Sequence, residues 1–367
     1  MTYPYIFSAS EAFAGAAENR SNVLHADARA SLRVDTLRGI ACVLLILFHA
    51  VAEVRLAKPM ALDGLARANE FAIFLRMPLF IFLSGYVYAA RPVEGRQALR
   101  FLQRKARRLL VPLAFVTLLT LGLRATFGHG SFGNLAPDFV AAIAQPSYQL
   151  WFVEALFLIF LALACGMQRL LHSVAGCLLL IAAVAVGEVF GTSTIRLFSV
   201  GQAIHFLPYF VTGVLAFGLI DANGTPPRTR LLAGAALLLI GLLRSAQLRG
   251  LEIDSAATSI GALLSLLIMA PVSSWLTWIG RRSMVIYLYH ALVLAAFTRV
   301  LPGPPAAVLA QVMVLAVLLP IMVEMAAERW LPVVLPLLGG RAHRPLPSAR
   351  QGLRFTLRPP SRAAESI

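Results

Sequence analysis

The sequence predicts an all-α fold: a polytopic membrane bundle of about ten transmembrane helices, with both termini on the cytoplasmic side. Three observations predict it. Apolar residues make up 59% of the 367 and charged residues only 13%, about half the charge of a soluble globular domain; mean hydropathy is +0.78. Ten apolar runs each approach the about 20 residues needed to cross a hydrocarbon layer about 30 Å thick. The basic residues alternate between the loops those runs define. The formal charge of +15 and the pI near 10.9 would suggest nucleic acid in a soluble protein. Here the cations flank apolar runs, which points to the cytoplasmic membrane face and to no nucleic-acid partner.

Residues 1–32 are mixed and Ala-rich, without clear periodicity, and read as a loose cytoplasmic tail. They hold no apolar core followed by a small-residue cleavage site, so the first span is expected to act as its own insertion signal. The transmembrane domain covers 33–332, with apolar runs beginning near Leu37, Phe71, Leu109, Leu150, Val174, Ala203, Leu231, Ala256, Ser283 and Ala306. The eighth and ninth are separated by an expected short turn from Trp275 to Arg282, resting on Pro271 and Gly280. With ten spans, 23 of the 32 Lys and Arg fall on the inside. The loop Arg91 to Arg108 holds seven of them, and the tail from Arg329 onward another seven. A missed span would invert every later loop, so the alternation supports the map. The longest outer loop runs from about Arg124 to Gln149. Residues 333–367 read as a basic, disordered cytoplasmic tail near anionic head groups.

Ionisable side chains inside a bilayer cost at least ~2.5–3.5 kcal/mol each and are functional candidates by default. On the first span Arg38 and His49 differ by about 20° of helical rotation; Asp35 precedes Arg38 by a turn and Glu53 follows His49 by a turn, so the four form one polar stripe. Glu53 and Arg76 fall at similar depths on adjacent antiparallel helices and are expected to pair. Gln202, His205, Tyr209 and Thr212 form a second stripe, with Pro208 as a kink; Ser283, Tyr287 and His290 form a third. Glu154 places a carboxylate at the mouth of the fourth span. Plainer readings stand beside these. An intramembrane His often bonds a neighbouring carbonyl, Trp151, Trp275, Trp278 and Trp330 suit interface anchors, and Ser84-Gly85 suits close helix packing. Cys42, Cys165 and Cys177 lack metal-like spacing and read as small buried hydrophobes; no metal is expected.

Several segments then resemble, in order, the membrane-bound acyltransferase 3 family, bacterial multi-pass enzymes that acylate exopolysaccharides, O-antigens and related sugars. They are Arg33-Val34-Asp35-Thr36-Leu37-Arg38-Gly39-Ile40-Ala41 with His49; Met77-Pro78-Leu79-Phe80-Ile81-Phe82-Leu83-Ser84-Gly85-Tyr86; Arg104-Lys105-Ala106-Arg107-Arg108-Leu109-Leu110-Val111-Pro112; Leu150-Trp151-Phe152; Leu207-Pro208-Tyr209-Phe210 with Gly213; and Ser283 with Ile286-Tyr287-Leu288-Tyr289-His290. The resemblance spans about Arg33 to Arg329. Two positions depart from it: Arg76 stands where many relatives have His, and Glu154 where an apolar residue or proline is more usual.

The resemblance implies an acyl-CoA donor, usually acetyl-CoA, a carbohydrate hydroxyl acceptor, a bacterial inner-membrane location and His49 as the central catalytic residue. Histidine suits the base that deprotonates a hydroxyl, its ordinary pKa being near 6.5. Glu53 could orient it and Arg76 could stabilise the developing oxyanion. Arg104, Arg107, Arg108 and Arg38 are the cations expected to hold the coenzyme phosphates. The acceptor pocket is expected to draw on Asp35, Ser84, Trp151, Glu154, His205, Tyr209 and His290. A transporter of a small or sugar-linked solute is the alternative, since buried charges and proline-broken helices also suit one; a non-catalytic membrane scaffold is a third. No Gly-x-Ser-x-Gly elbow supports a serine acyl-enzyme.

Overall fold

A computed structural model of the chain describes residues 9–58, 61–93, 95–145, 150–218, 260, 263–264, 266–267 and 271–340. The described residues form helices and no strands: α1 (Ala9–Ala57), α2 (Asp63–Phe71), α3 (Ile73–Ala90), α4 (Ala98–Thr126), α5 (Leu135–Ala144), α6 (Trp151–Ala164), α7 (Val174–Val189), α8 (Val200–Ala216), α9 (Ser274–Arg281), α10 (Ser283–Phe297), α11 (Pro305–Trp330) and α12 (Leu335–Leu338). The seventh expected span, most of the eighth, and the tail from 341 lie outside the described residues.

Among the described residues, four segments are long and apolar enough to cross a membrane: Ser31–Ala57, Ala98–Thr126, Leu197–Ala216 and Pro305–Trp330. Shorter apolar helices accompany them, among them Leu75–Ala90, Trp151–Ala164 and Ser283–Phe297. Three sequence expectations change. The loose tail expected over 1–32 is helical from Ala9 onward, because its many alanines cost least to hold in a helix. The turn expected at Trp275 to Arg282 is helix α9, laid along α1. The outer loop after Arg124 contains the apolar helix α5, which packs on α4.

Backbone approach holds the bundle together, because lipid tails are as apolar as leucine and give no hydrophobic drive between helices. Gly85 of α3 meets the Phe210 backbone of α8, and Gly213 of α8 meets the Phe82 backbone of α3. Gly39 of α1 and Gly280 of α9 make a second reciprocal crossing, against Leu276 and Asp35. In both crossings a Cβ would collide with backbone atoms, so only glycine lets the helices approach this closely. Around these crossings Leu37, Ile46, Phe82, Phe210, Ile286 and Leu288 are fully buried in one core. Leu118, Leu178, Leu179, Val186, Val314 and Met322 remain exposed on outer faces, as lipid-facing positions should be.

Candidate active site

Side chains of α1, α3, α6 and α10 meet around one spot. His49 of α1 lies with its ring centroid 5.2 Å from that of His290 on α10 and 5.0 Å from Phe48. Arg76 of α3 stacks its guanidinium over Phe48, 3.8 Å from the ring centroid. One turn along α3, Phe80 meets Phe152 of α6 at 5.8 Å. Phe152 meets Tyr287 of α10 at 5.2 Å, and Tyr287 returns to His290 at 6.2 Å. Arg76, Phe48, His49, His290, Tyr287, Phe152 and Phe80 thus close a ring of side chains from four helices.

Hydrogen bonding fixes the state of one imidazole. Nδ1 of His290 faces the Tyr287 carbonyl at 2.8 Å and the Ile286 carbonyl at 3.1 Å. Carbonyls only accept, so Nδ1 carries the proton. Nε2 of His290 is buried without a hydrogen-bond partner. Arg76 is 4% exposed, and its Nη1 is likewise buried and unpartnered. A cation over an aromatic face in a dry site gains about 2 kcal/mol, which offsets part of the cost of burying it.

The expected pair between Glu53 and Arg76 does not form: Arg76 turns to Phe48, and no ion pair joins it to Glu53. Depth along the two helices matches, but Glu53 is rotated about 140° around α1 from Phe48, the residue α3 meets. Arg38 and Asp35 lie about 16 and 21 Å along α1 from His49. They belong to a separate cluster in which the Asp35 carboxylate takes Arg38 at 3.3 Å and Arg281 of α9 at 3.2 Å. His205 is also apart, its Nδ1 3.2 Å from Glu188 Oε1 of α7. Ser84 donates to the Phe80 carbonyl one turn back, at 2.8 Å, and serves the helix beside the Gly85 crossing. On α4, Arg104 and Arg107 are exposed and Arg108 is half-buried. Lys105 between them folds back over Phe160, 3.9 Å from its ring.

At the neighbouring end of α6, Trp151 stacks on Phe206 of α8, 5.4 Å apart and 30° from parallel, and Phe206 in turn meets Tyr209 at 5.7 Å. Glu154 is buried and accepts from the Ser199 hydroxyl at 2.9 Å. Sequence reading missed Ser199, Arg281, and the buried pair of Arg282 and Glu324 at 3.7 Å. Glu324 had a signal, a carboxylate inside an apolar run; Ser199 had none. Cys42 and Cys177 are buried, while Cys165 is exposed.

An acyltransferase-domain family matches residues 31–325. The chain belongs to the acyltransferase 3 family. The match covers every residue of the ring and of the Asp35 cluster, and it reaches Glu324. As a member of the acyltransferase 3 family the chain is an acyltransferase, and not the transporter or scaffold weighed from the sequence. Comparison with curated proteins and with solved structures gives no match.

Proposed function

We propose that this acyltransferase moves an acyl group, acetyl in the simplest case, from acyl-CoA to a hydroxyl of a carbohydrate, with His49 as general base. The reading extends to a ten-span protein of the bacterial inner membrane with both termini in the cytoplasm. One observation carries the mechanism: within the family-matched region, His49 lies against a second imidazole, His290, and beside Phe48, over which the buried cation Arg76 is stacked.

In the reaction, His49 takes the proton of the acceptor hydroxyl as its oxygen bonds to the thioester carbonyl carbon. Negative charge then gathers on the carbonyl oxygen, and the unpartnered Nη1 of Arg76 is a donor suited to it. When the carbon–sulfur bond breaks, His49 returns the proton to the departing sulfur. An ester and free coenzyme A result, and the ring is restored. For the coenzyme phosphates, the exposed guanidiniums of Arg104 and Arg107 offer the donor geometry phosphates take. Arg108 and Arg38 complete the set proposed to hold the donor.

Mass spectrometry of surface glycans from cells carrying wild type or His49→Ala tests the reading. Wild type is expected to add a group that the variant cannot. An unchanged acyl pattern would remove His49 from the mechanism.

A further inference from the structure

Glu154 is a carboxylate in the first turn of the apolar helix α6, and the fold around it is arranged to hold it. The side chain is 6% exposed. Its Oε2 accepts the Ser199 hydroxyl at 2.9 Å, while Oε1 is buried with no hydrogen-bond partner. Ser199 itself is fully buried and reaches Glu154 from an unusual backbone. Phe198 (φ 49°, ψ 33°) and Ser199 (φ 55°, ψ 26°) are consecutive non-glycine residues in the left-handed region, a conformation that side chains disfavour and that persists only where the surroundings impose it. The imposition is visible at Gly201, whose amide donates to the Ile195 carbonyl at 3.0 Å. A Cβ there would lie 2.5 Å from the Ser193 carbonyl oxygen. The segment is folded tightly on itself, and the result is one hydroxyl fixed on one carboxyl oxygen, with the other oxygen buried and lacking a hydrogen-bond partner.

We propose that Glu154 and Ser199 form a hydroxyl-binding subsite, through which the chain selects a polyhydroxylated acceptor. The proposal rests on the O-acyltransferase reading above. Ionised, Oε1 accepts a hydrogen bond; protonated, it donates one. A hydroxyl is the partner that satisfies it either way. Tyr287 hydrogen-bonds the Phe152 backbone and ties the subsite to the ring that holds His49. A cleft of about 340 Å³ lies between α4 and α5, lined by Thr117, Thr120, Arg124, Ser131, Asp138 and Gln145. Leu150 also lines it, one helical turn before Glu154 and on the same face of α6. That volume is at the small end of ligand sites, and its mixture of hydroxyls, amide and charged groups suits a sugar.

The test uses the full chain in nanodiscs, with acetyl-CoA, simple methyl glycosides and their single-deoxy analogues. Glu154→Leu is expected to raise the acceptor KM at least tenfold, the equivalent of about 1.4 kcal/mol, with the acetyl-CoA KM unchanged. The deoxy analogue lacking the contacted hydroxyl should bind wild type as weakly as the parent sugar binds Glu154→Leu, and lose nothing further in that variant. Glu154→Gln, which keeps the shape and the Ser199 bond, guards against misfolding and should raise the acceptor KM by a smaller factor. An unchanged acceptor KM in both folded variants overturns the subsite. If wild type acylates no glycoside, the O-acyltransferase reading fails separately. Direct binding of the glycosides then decides the subsite: weaker binding to Glu154→Leu supports it, and equal binding overturns it.

Discussion

The ion pair between Arg282 and Glu324 gives the most quantitative handle on this bundle. Its nitrogen and oxygen are 3.7 Å apart, with the side chains 11% and 9% exposed. At an effective dielectric of about 20 two unit charges at that separation attract by about 4–5 kcal/mol. Most of that attraction is spent on desolvating the two groups, so the pair itself contributes little net stability. Removing one partner leaves the other charge buried without its counter-ion in this pair. Glu324→Leu or Arg282→Met alone should therefore cost about 3–5 kcal/mol, a fall in melting temperature on the order of 5–10 °C for a chain of this size. The double variant, with no charge left to strand, should lie close to wild type. Thermal unfolding of the four proteins in one detergent, read as a double-mutant cycle, measures the coupling. Single variants that lose under about 1 kcal/mol, or a double variant that loses the sum of the singles, would refute the reasoning. Arg282 also stacks 5.1 Å from the Trp278 ring, so Trp278→Phe in the Arg282→Met background should add almost nothing.

Other outcomes follow from the same geometry. His49→Ala should slow acceptor-dependent release of coenzyme A by about 10²–10⁴-fold, the usual contribution of a general base, with helical content and melting temperature unchanged; a rate within tenfold of wild type would remove the base from His49. Arg76→Leu removes a buried cation that pairs with no carboxylate among the described residues, so transfer should fall at least tenfold on the order expected for a lost oxyanion donor while the melting temperature holds or rises. Gly213→Ala drives a methyl into the Phe82 backbone and should cost about 1–3 kcal/mol. Gly122→Ala on α4, where a methyl meets open space, should stabilise by about 0.5–1 kcal/mol; equal effects at the two glycines would show that the α3–α8 crossing is not as tight as described.

Much of this architecture was legible because membranes simplify the code. A backbone in lipid must satisfy its own hydrogen bonds, so long apolar runs read as helices, and the runs at Leu37, Leu109 and Ala306 map onto α1, α4 and α11. The reading of Ser84-Gly85 as close packing also stands, since Gly85 touches the α8 backbone. What failed in the site did so for one geometric reason. Helical period places residues on a face and rise places them at a depth, but neither says which face the neighbouring helix meets. Glu53 and Arg76 share a depth and point to different neighbours. Arg38 and His49 share a face, yet stand about 16 Å apart in different clusters, and His205 turns to Glu188 of α7.

By itself the sequence determined that the chain is a membrane helix bundle, that it resembles the acyltransferase 3 family, and that His49 is the residue to watch, because each of these is written in composition, local order or spacing within one helix. Only the tertiary structure decided that His49 meets His290, that Arg76 lies over Phe48, and that Glu154 is held by Ser199. These contacts join residues distant along the chain, and they depend on how closely the helices cross and at what rotation. That is set by where glycines let two backbones touch, a property of pairs of helices and not of any one of them.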